Sequence, residues 1–443
     1  MHEEAAQRSN ETVGNGTYRK LDSLNIVDIA ALLEEMEEVE LVKAFRMLPK
    51  DQAADVFSYL DSEAQQGIIE AITNTEIARI VNDLFIDDAL DFIEEMPAGV
   101  VKKVLANTHP ETRGLLNQFL QYPDDSVGSI MTVEFVDFKD GMDVTAAFSH
   151  IRTAGIDKET IYTGYVIDSQ RHLLGSVSVR SLFMAEPHDL LIDIMDTDLV
   201  FTHTHDDRQT LANRFRLQGL MAIPVVDREQ RLVGIVTFDD ALWVQEEEDT
   251  EDFEIMAALV PAEESYHKTS IIDHSKNRLP WLFLLNLSVF LTGAIVAQYE
   301  AQLAVMPVLV TFLPMLMDTS GDAGSQSSTL VIRGMALEEI TMKDVLPVLW
   351  KETRVSLTVG LAMAVVNFAR IMLFGQGADM AFVVSVALLS AIVFSKVLGA
   401  MLPLGARVVK MDPAVMAGPV LTTVVDATSL LVFFSMARLV LSI

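Results

Sequence analysis

The chain has 443 residues, a formal net charge of −31 and no cysteine. The missing thiols exclude disulfides, thiolate nucleophiles and soft metal sites, so any metal chemistry must use hard oxygen ligands. So acidic a chain argues against nucleic acid or anionic lipid headgroups as partners, since both require a positive surface, and it favours cations.

The charge is unevenly held. From residue 279 onward ten acidic side chains meet nine basic ones, and nearly all the excess lies before that point. Residues 1–22 are polar and lack an apolar run, so they are expected to be a disordered tail and not a signal peptide. The acidic half is therefore expected to be cytosolic.

Residues 23–126 repeat apolar positions three and four apart, as in Ile29-Ala-Ala-Leu-Leu-Glu-Glu-Met36. Breaks at Leu48-Pro49, Met96-Pro97 and His109-Pro110 divide them into short amphipathic helices that must stack on one another, giving an all-α helical-repeat domain. Asp55, Asp87, Asp88 and Asp91 fall on its polar side.

Residues 127–250 contain an internal repeat. Tyr165-Val-Ile-Asp168 and Leu174-Gly175-Ser-Val-Ser-Val-Arg180 match Pro224-Val-Val-Asp227 and Val233-Gly234-Ile-Val-Thr-Phe-Asp239, 59 residues later. Each copy, 127–188 and 189–250, predicts a β-α-β-β-α unit, and the pair resembles a tandem CBS module. That resemblance implies a regulatory α/β domain, often dimeric and in some members nucleotide-binding. Ser181 follows Arg180 where nucleotide-binding relatives carry Asp, which weakens a ribose contact.

A helix is expected to begin at Asp239-Asp240 and run through Glu246-Glu-Glu-Asp-Thr-Glu-Asp252, six acids in seven positions, with 251–278 connecting into the membrane. Like charges this dense need a counterion to stay helical. Thr202-His203-Thr-His205 alternates like a strand and lacks the partners of a metal site.

Five apolar segments follow, roughly Leu279 to Tyr299, Ala304 to Val331, Arg354 to Phe374, Met380 to Leu404 and Pro419 to Ser442. Lys and Arg gather before the first segment and in the loops after the second and fourth, which places the N-terminal half inside and the C-terminus outside. Five spans in one chain cannot form a symmetric pore alone, so a two-fold homodimer is expected. In the last segment Asp426 stands at membrane depth, where a carboxylate costs about 3 kcal/mol and must face water, a cation or a partner. Thr422 and Thr423 share its face. Asp318, Asp322 and Gln326 in the second segment, and Lys396 in the fourth, need partners or a cavity for the same reason.

The run Gly321-Asp-Ala-Gly-Ser-Gln-Ser-Ser-Thr-Leu330, the run Thr422-Thr-Val-Val-Asp426, and this order of domains resemble the MgtE family of magnesium channels or transporters. The departures are Ser320 for a usual Gly, Asp322 and Ser325 for usual Asn residues, and Gly418 for an Asn seen in some relatives. The fold the resemblance implies is a multidomain membrane protein: helical-repeat domain, CBS pair, connecting (plug) helix and five-helix transmembrane domain. The function it implies is Mg²⁺ uptake through the inner membrane, with no enzymatic step. Asp426 would hold hydrated Mg²⁺ in the path, with Ser325, Thr329 and Thr422 lining it. Cytosolic Mg²⁺ would bind Asp55, Asp87, Asp91, Asp207, Asp240, Glu248, Glu251 and Asp252 and draw the domains into a closed state. Gln209 and Gly219 replace acids found in some relatives.

Other readings are a Co²⁺, Mn²⁺ or Ca²⁺ transporter of the same fold, a membrane-anchored sensor with little flux, and an intramembrane aspartyl protease using Asp322 and Asp426. The protease reading lacks the first Gly of Gly-x-Gly-Asp at Thr319-Ser-Gly-Asp322. Neither His-Glu-x-x-His nor a Walker-A loop occurs.

Overall fold

Side-chain caps start many of the helices where the sequence places Asn, Asp, Ser or Thr ahead of an apolar stripe. The computed structural model describes residues 24–50, 52–261, 266 and 269–441. The expected tail at 1–22 lies outside them. The chain divides into two compact units, Met1–Gln245 and Glu246–Ile443.

The first unit opens with α1 (Ile26–Glu34), α2 (Glu38–Phe45), α3 (Ala53–Ser58), α4 (Ser62–Ala71), α5 (Asn74–Asp83), α6 (Ile86–Glu95), α7 (Ala98–Asn107) and α8 (Pro110–Phe119). Thr73 and Glu76 form a reciprocal capping box at α5. Glu76 also accepts from Arg46 at 2.9 and 3.2 Å, and that bonding holds its carboxyl down at about 2. Each helix turns its apolar stripe inward, and the stripes merge around Phe57 and Phe92, whose ring centroids are 5.1 Å apart.

The repeat then folds as two like sheets. The first copy is β1 (Val136–Lys139), α9 (Val144–Ala154), β2 (Thr163–Ile167), β3 (Leu173–Ser178) and α10 (Val179–Met184). The second has α11 (Leu191–Ile194) ahead of β4 (Thr202–His203), α12 (Arg208–Gln218), β5 (Ala222–Val226), β6 (Leu232–Thr237) and α13 (Phe238–Met256). In each sheet the first strand runs parallel to the second and the second antiparallel to the third. The repeated glycine has a steric reason: a Cβ at Gly175 would stand 2.9 Å from the Asp196 carbonyl oxygen, and one at Gly234 2.8 Å from that of Thr132. Phe135, Tyr165, Ile167, Leu232 and Ile235 join the two sheets. The helical core continues without interruption into Leu211, Phe215, Val236, Ala241 and Val244 of the second copy.

The second unit starts inside α13. That helix ends at Met256, where the Leu259 amide donates to the Glu254 carbonyl at 2.9 Å and Ala258 takes a left-handed φ of 61°. The 251–278 stretch is therefore not one connecting helix: a new helix, α14 (Ile271–Gln298), begins under a Ser270 cap and carries the expected first span upstream through Pro280. The expected second span, Ala304 to Val331, is also broken. Prolines at 307 and 314 divide it into α15 (Glu300–Val305), a 3₁₀ turn at Pro307–Phe312 and α16 (Leu313–Ala336). There follow α17 (Val345–Leu373), α18 (Ala378–Val408) and α19 (Pro419–Leu441).

Among the described residues, four helical stretches are long and apolar enough to cross a membrane: Ile271–Gln298, Val345–Leu373, Ala378–Val408 and Pro413–Leu441. At 24 residues α16 is long enough, about 36 Å, but its serines and aspartates lower its apolarity. It packs instead against α18 and α19, and no side chain fits at Gly399 because the Gly324 carbonyl lies against it.

Candidate cation sites and their family context

In the second unit, Asp318, Asp322, Ser325 and Thr329 follow at intervals of four, three and four, so they form one stripe down α16. Asp318, Asp322 and Thr329 are exposed and Ser325 is half-buried, while Ser320, Gly324, Ser327 and Ser328 face inward. On α19 Asp426 is half-buried, and Asp318 is the charged group that acts on it. Ser429 donates to the Ser320 hydroxyl at 2.7 Å and Ser395 donates to the Ser320 carbonyl, which fixes α18 and α19 against α16. Thr422 donates to the Gly418 carbonyl at 3.0 Å, leaving its hydroxyl oxygen to accept. The arrangement offers a hydrated cation a row of oxygens along α16 with a carboxylate beside it.

The acidic end of α13 lies in the same unit. Arg333, at the end of α16, pairs with Asp249 at 3.3 Å. Asp252 is pushed up to about 6 by burial and by Asp412, Asp249 and Glu251, with Arg333 opposing. Glu248 is half-buried and Glu251 exposed. A Cβ at Gly418 would stand 2.8 Å from the Met256 carbonyl oxygen, so the end of α13 lies directly on the residue before the Asp426 helix.

The first unit gathers a separate set of carboxylates. Asp87 and Asp88 open α6, Asp239 and Asp240 open α13, Asp55 lies on α3, and Glu159 is held in a loop where its amide donates to the Glu134 carbonyl at 2.8 Å. Burial, then Asp240, Asp88 and Glu159, raise Asp87 well above the usual carboxylate range. Burial, then Asp240, Asp55 and Asp239, push Asp88 to about 6. Burial, then Asp240, Asp88, Asp239 and Glu134, push Glu159 to about 8. Asp240 is raised chiefly by burial, although Thr237 donates to its carboxylate. Among the described residues, the charges that raise these four groups are all negative. Helix N-termini at Asp87, Asp88, Asp239 and Asp240 supply part of the missing positive potential.

Asp91 lies on the exposed side of α6, one turn beyond this cluster, and Asp207 caps α12 by accepting from the Thr210 amide at 2.7 Å. Glu159 has no sequence signal beyond its charge, since it sits in an irregular loop. His203 bonds Asp206 and Gln230, and His205 bonds Thr204. Among the described residues no group of three or more His, Asp or Glu side chains is close enough to hold a bare metal ion.

Comparison with known proteins agrees with this layout. The family profile described as "Divalent cation transporter" matches residues 313–436, that of the "MgtE intracellular N domain" matches 24–125, and that of the CBS domain matches 191–247. The chain is similar to the magnesium transporter MgtE of Thermus thermophilus, 32% identical over 100% of this chain and 99% of that one. It is also similar to the magnesium transporter MgtE of Bacillus subtilis, 30% identical over 94% of this chain and 92% of that one. Among solved structures, the soluble part of a magnesium transporter aligns at 26% identity and a TM-score of 0.51, covering 56% of this chain and 99% of that one. The cytosolic domain of the Mg²⁺ channel MgtE in complex with ATP aligns at 31% identity and 0.50, covering 55% and 98%. The chain belongs to the MgtE family of magnesium transporters.

Proposed function

We infer that this chain carries Mg²⁺ across the membrane along the oxygen-lined side of α16, with Asp426 as the ligand that holds the ion. The single observation that carries this is the placement of Asp426, a half-buried carboxylate at membrane depth, beside Asp318 and the α16 stripe. Mg²⁺ sheds its water reluctantly, so a carboxylate engages it through bound water, and Ser325, Thr329 and Thr422 supply further oxygens to that shell. The path is completed by a second copy: much of the apolar surface of α14 is exposed, as are Ile156, Phe183 and Met184 in the first CBS copy. In this reading α16 is the fifth span, the N-terminal domains are cytosolic and the C-terminus is outside.

Cytosolic Mg²⁺ closes the path. The carboxylates Asp55, Asp87, Asp88, Glu159 and Asp240 repel one another, and a hydrated divalent cation relieves that repulsion without three of them touching the metal. Glu248, Glu251 and Asp252 form a second acidic set at the end of α13, and Asp91 and Asp207 add exposed acids for contacts in the dimer. An ATP-bound relative makes the CBS pair a candidate nucleotide site. Ser181 is engaged with Ser178 at 2.8 Å, so a ribose contact there requires that pair to open.

Replacing Asp426 by Ala tests the path. Mg²⁺ flux into proteoliposomes is lost while insertion and dimer mass stay as in wild type. Flux that survives the substitution removes Asp426 from the path.

A further inference from the structure

Lys396 is only 4% exposed, yet it sits within the apolar helix α18. An ammonium at that depth persists only with partners. Its Nζ donates to Gln326 Oε1 at 3.2 Å and to Ser327 Oγ at 3.5 Å. Ser327 Oγ in turn donates to Glu352 Oε2 at 2.6 Å. The direction of this chain is fixed by chemistry: Lys only donates, ionised Glu only accepts, and a hydroxyl does both. One positive and one negative charge are thus linked through a single hydroxyl across α18, α16 and α17.

Glu352 is half-buried in the eighth position of α17, in the same bundle as Asp426. A carboxylate there attracts the ion that the bundle moves. We propose that Lys396 is a tethered counter-cation which, through Ser327, neutralises Glu352 and keeps the permeating divalent cation from lodging between α16, α17 and α18. The ion is thereby left to the opposite, exposed stripe of α16. This rests on the reading of Asp426 as the path ligand. It adds a specificity role for a residue that touches neither Asp426 nor that stripe.

The test uses the full-length protein, with Mn²⁺ binding in detergent read by electron paramagnetic resonance and Mg²⁺ flux read in proteoliposomes. Lys396→Met gains one bound Mn²⁺ per chain and loses flux about tenfold, the middle of the range for directly coupled residues. The extra Mn²⁺ remains when Asp426→Ala is added. Glu352→Gln in the Lys396→Met background removes it and returns flux to within about threefold of wild type. Lys396→Arg, which keeps the charge, gains no Mn²⁺.

An unchanged Mn²⁺ count in Lys396→Met, or a flux loss that Glu352→Gln does not restore, overturns the proposal and leaves Lys396 a packing residue. Where Lys396→Met does not yield a monodisperse protein, the double variant decides: recovery supports charge balance, and a second failure overturns it. Wild-type flux in Asp426→Ala, with the extra Mn²⁺ still present in Lys396→Met, removes the Asp426 path and leaves the Glu352 charge balance standing.

Discussion

Raising pH in the presence of a chelator should loosen the first unit, because its acidic cluster is built to hold protons or a cation. Asp88 keeps its proton up to about 6 in the fold, against 3.8 for the free group. Between those values the folded state binds more protons than the unfolded one, so stability falls as pH rises. The shift of about 2 units corresponds to about 3 kcal/mol lost on reaching pH 7, before solvent screening reduces it. Glu159, pushed up to about 8, extends the loss toward pH 8. At roughly 2 to 4 °C per kcal/mol for a unit of this size, the Asp88 contribution alone should lower the apparent Tm by about 6 to 12 °C between pH 4 and pH 7. Added Mg²⁺ at pH 8 should recover most of it, since a divalent cation replaces the lost protons. Scanning fluorimetry of the full chain in detergent measures this, and Asp88→Asn with Glu159→Gln should flatten the pH slope. A Tm independent of pH between 5 and 8 with chelator present would refute the reasoning.

Two further outcomes follow from the geometry. Asp207→Ala should cost about 1 kcal/mol through the lost α12 cap and lower the Tm even with chelator present; an unchanged Tm there would limit Asp207 to cation binding. Gly418→Ala should force the Met256 carbonyl away from α19 at a cost of about 1 to 3 kcal/mol, raising the cytosolic-face Mg²⁺ that halves flux. An unchanged half-point would show that this contact takes no part in closure.

Periodicity made the short helices legible, and the 59-residue repeat made the paired sheets legible, because both patterns are local and set by burial. Helix ends were less so. The end of α13 depends on Ala258 adopting a left-handed conformation without the glycine that usually marks it. The start of α14 lies nine residues before Pro280 because a membrane helix tolerates proline once neighbours satisfy the freed carbonyl. That Lys396 needs a partner follows from its depth, but Gln326 and Ser327 as the partners emerge only from the crossing of α16 with α18. Glu159 joins the acidic cluster through a loop, which periodicity does not describe.

The most direct measurement is Mg²⁺ flux into proteoliposomes as Mg²⁺ is raised on the cytosolic face, in wild type and in Asp240→Ala with Glu251→Ala. The account predicts that wild-type flux shuts off as the acids fill and that the double variant stays open at the same concentration. Flux that is absent, or indifferent to Mg²⁺ in both proteins, would contradict it.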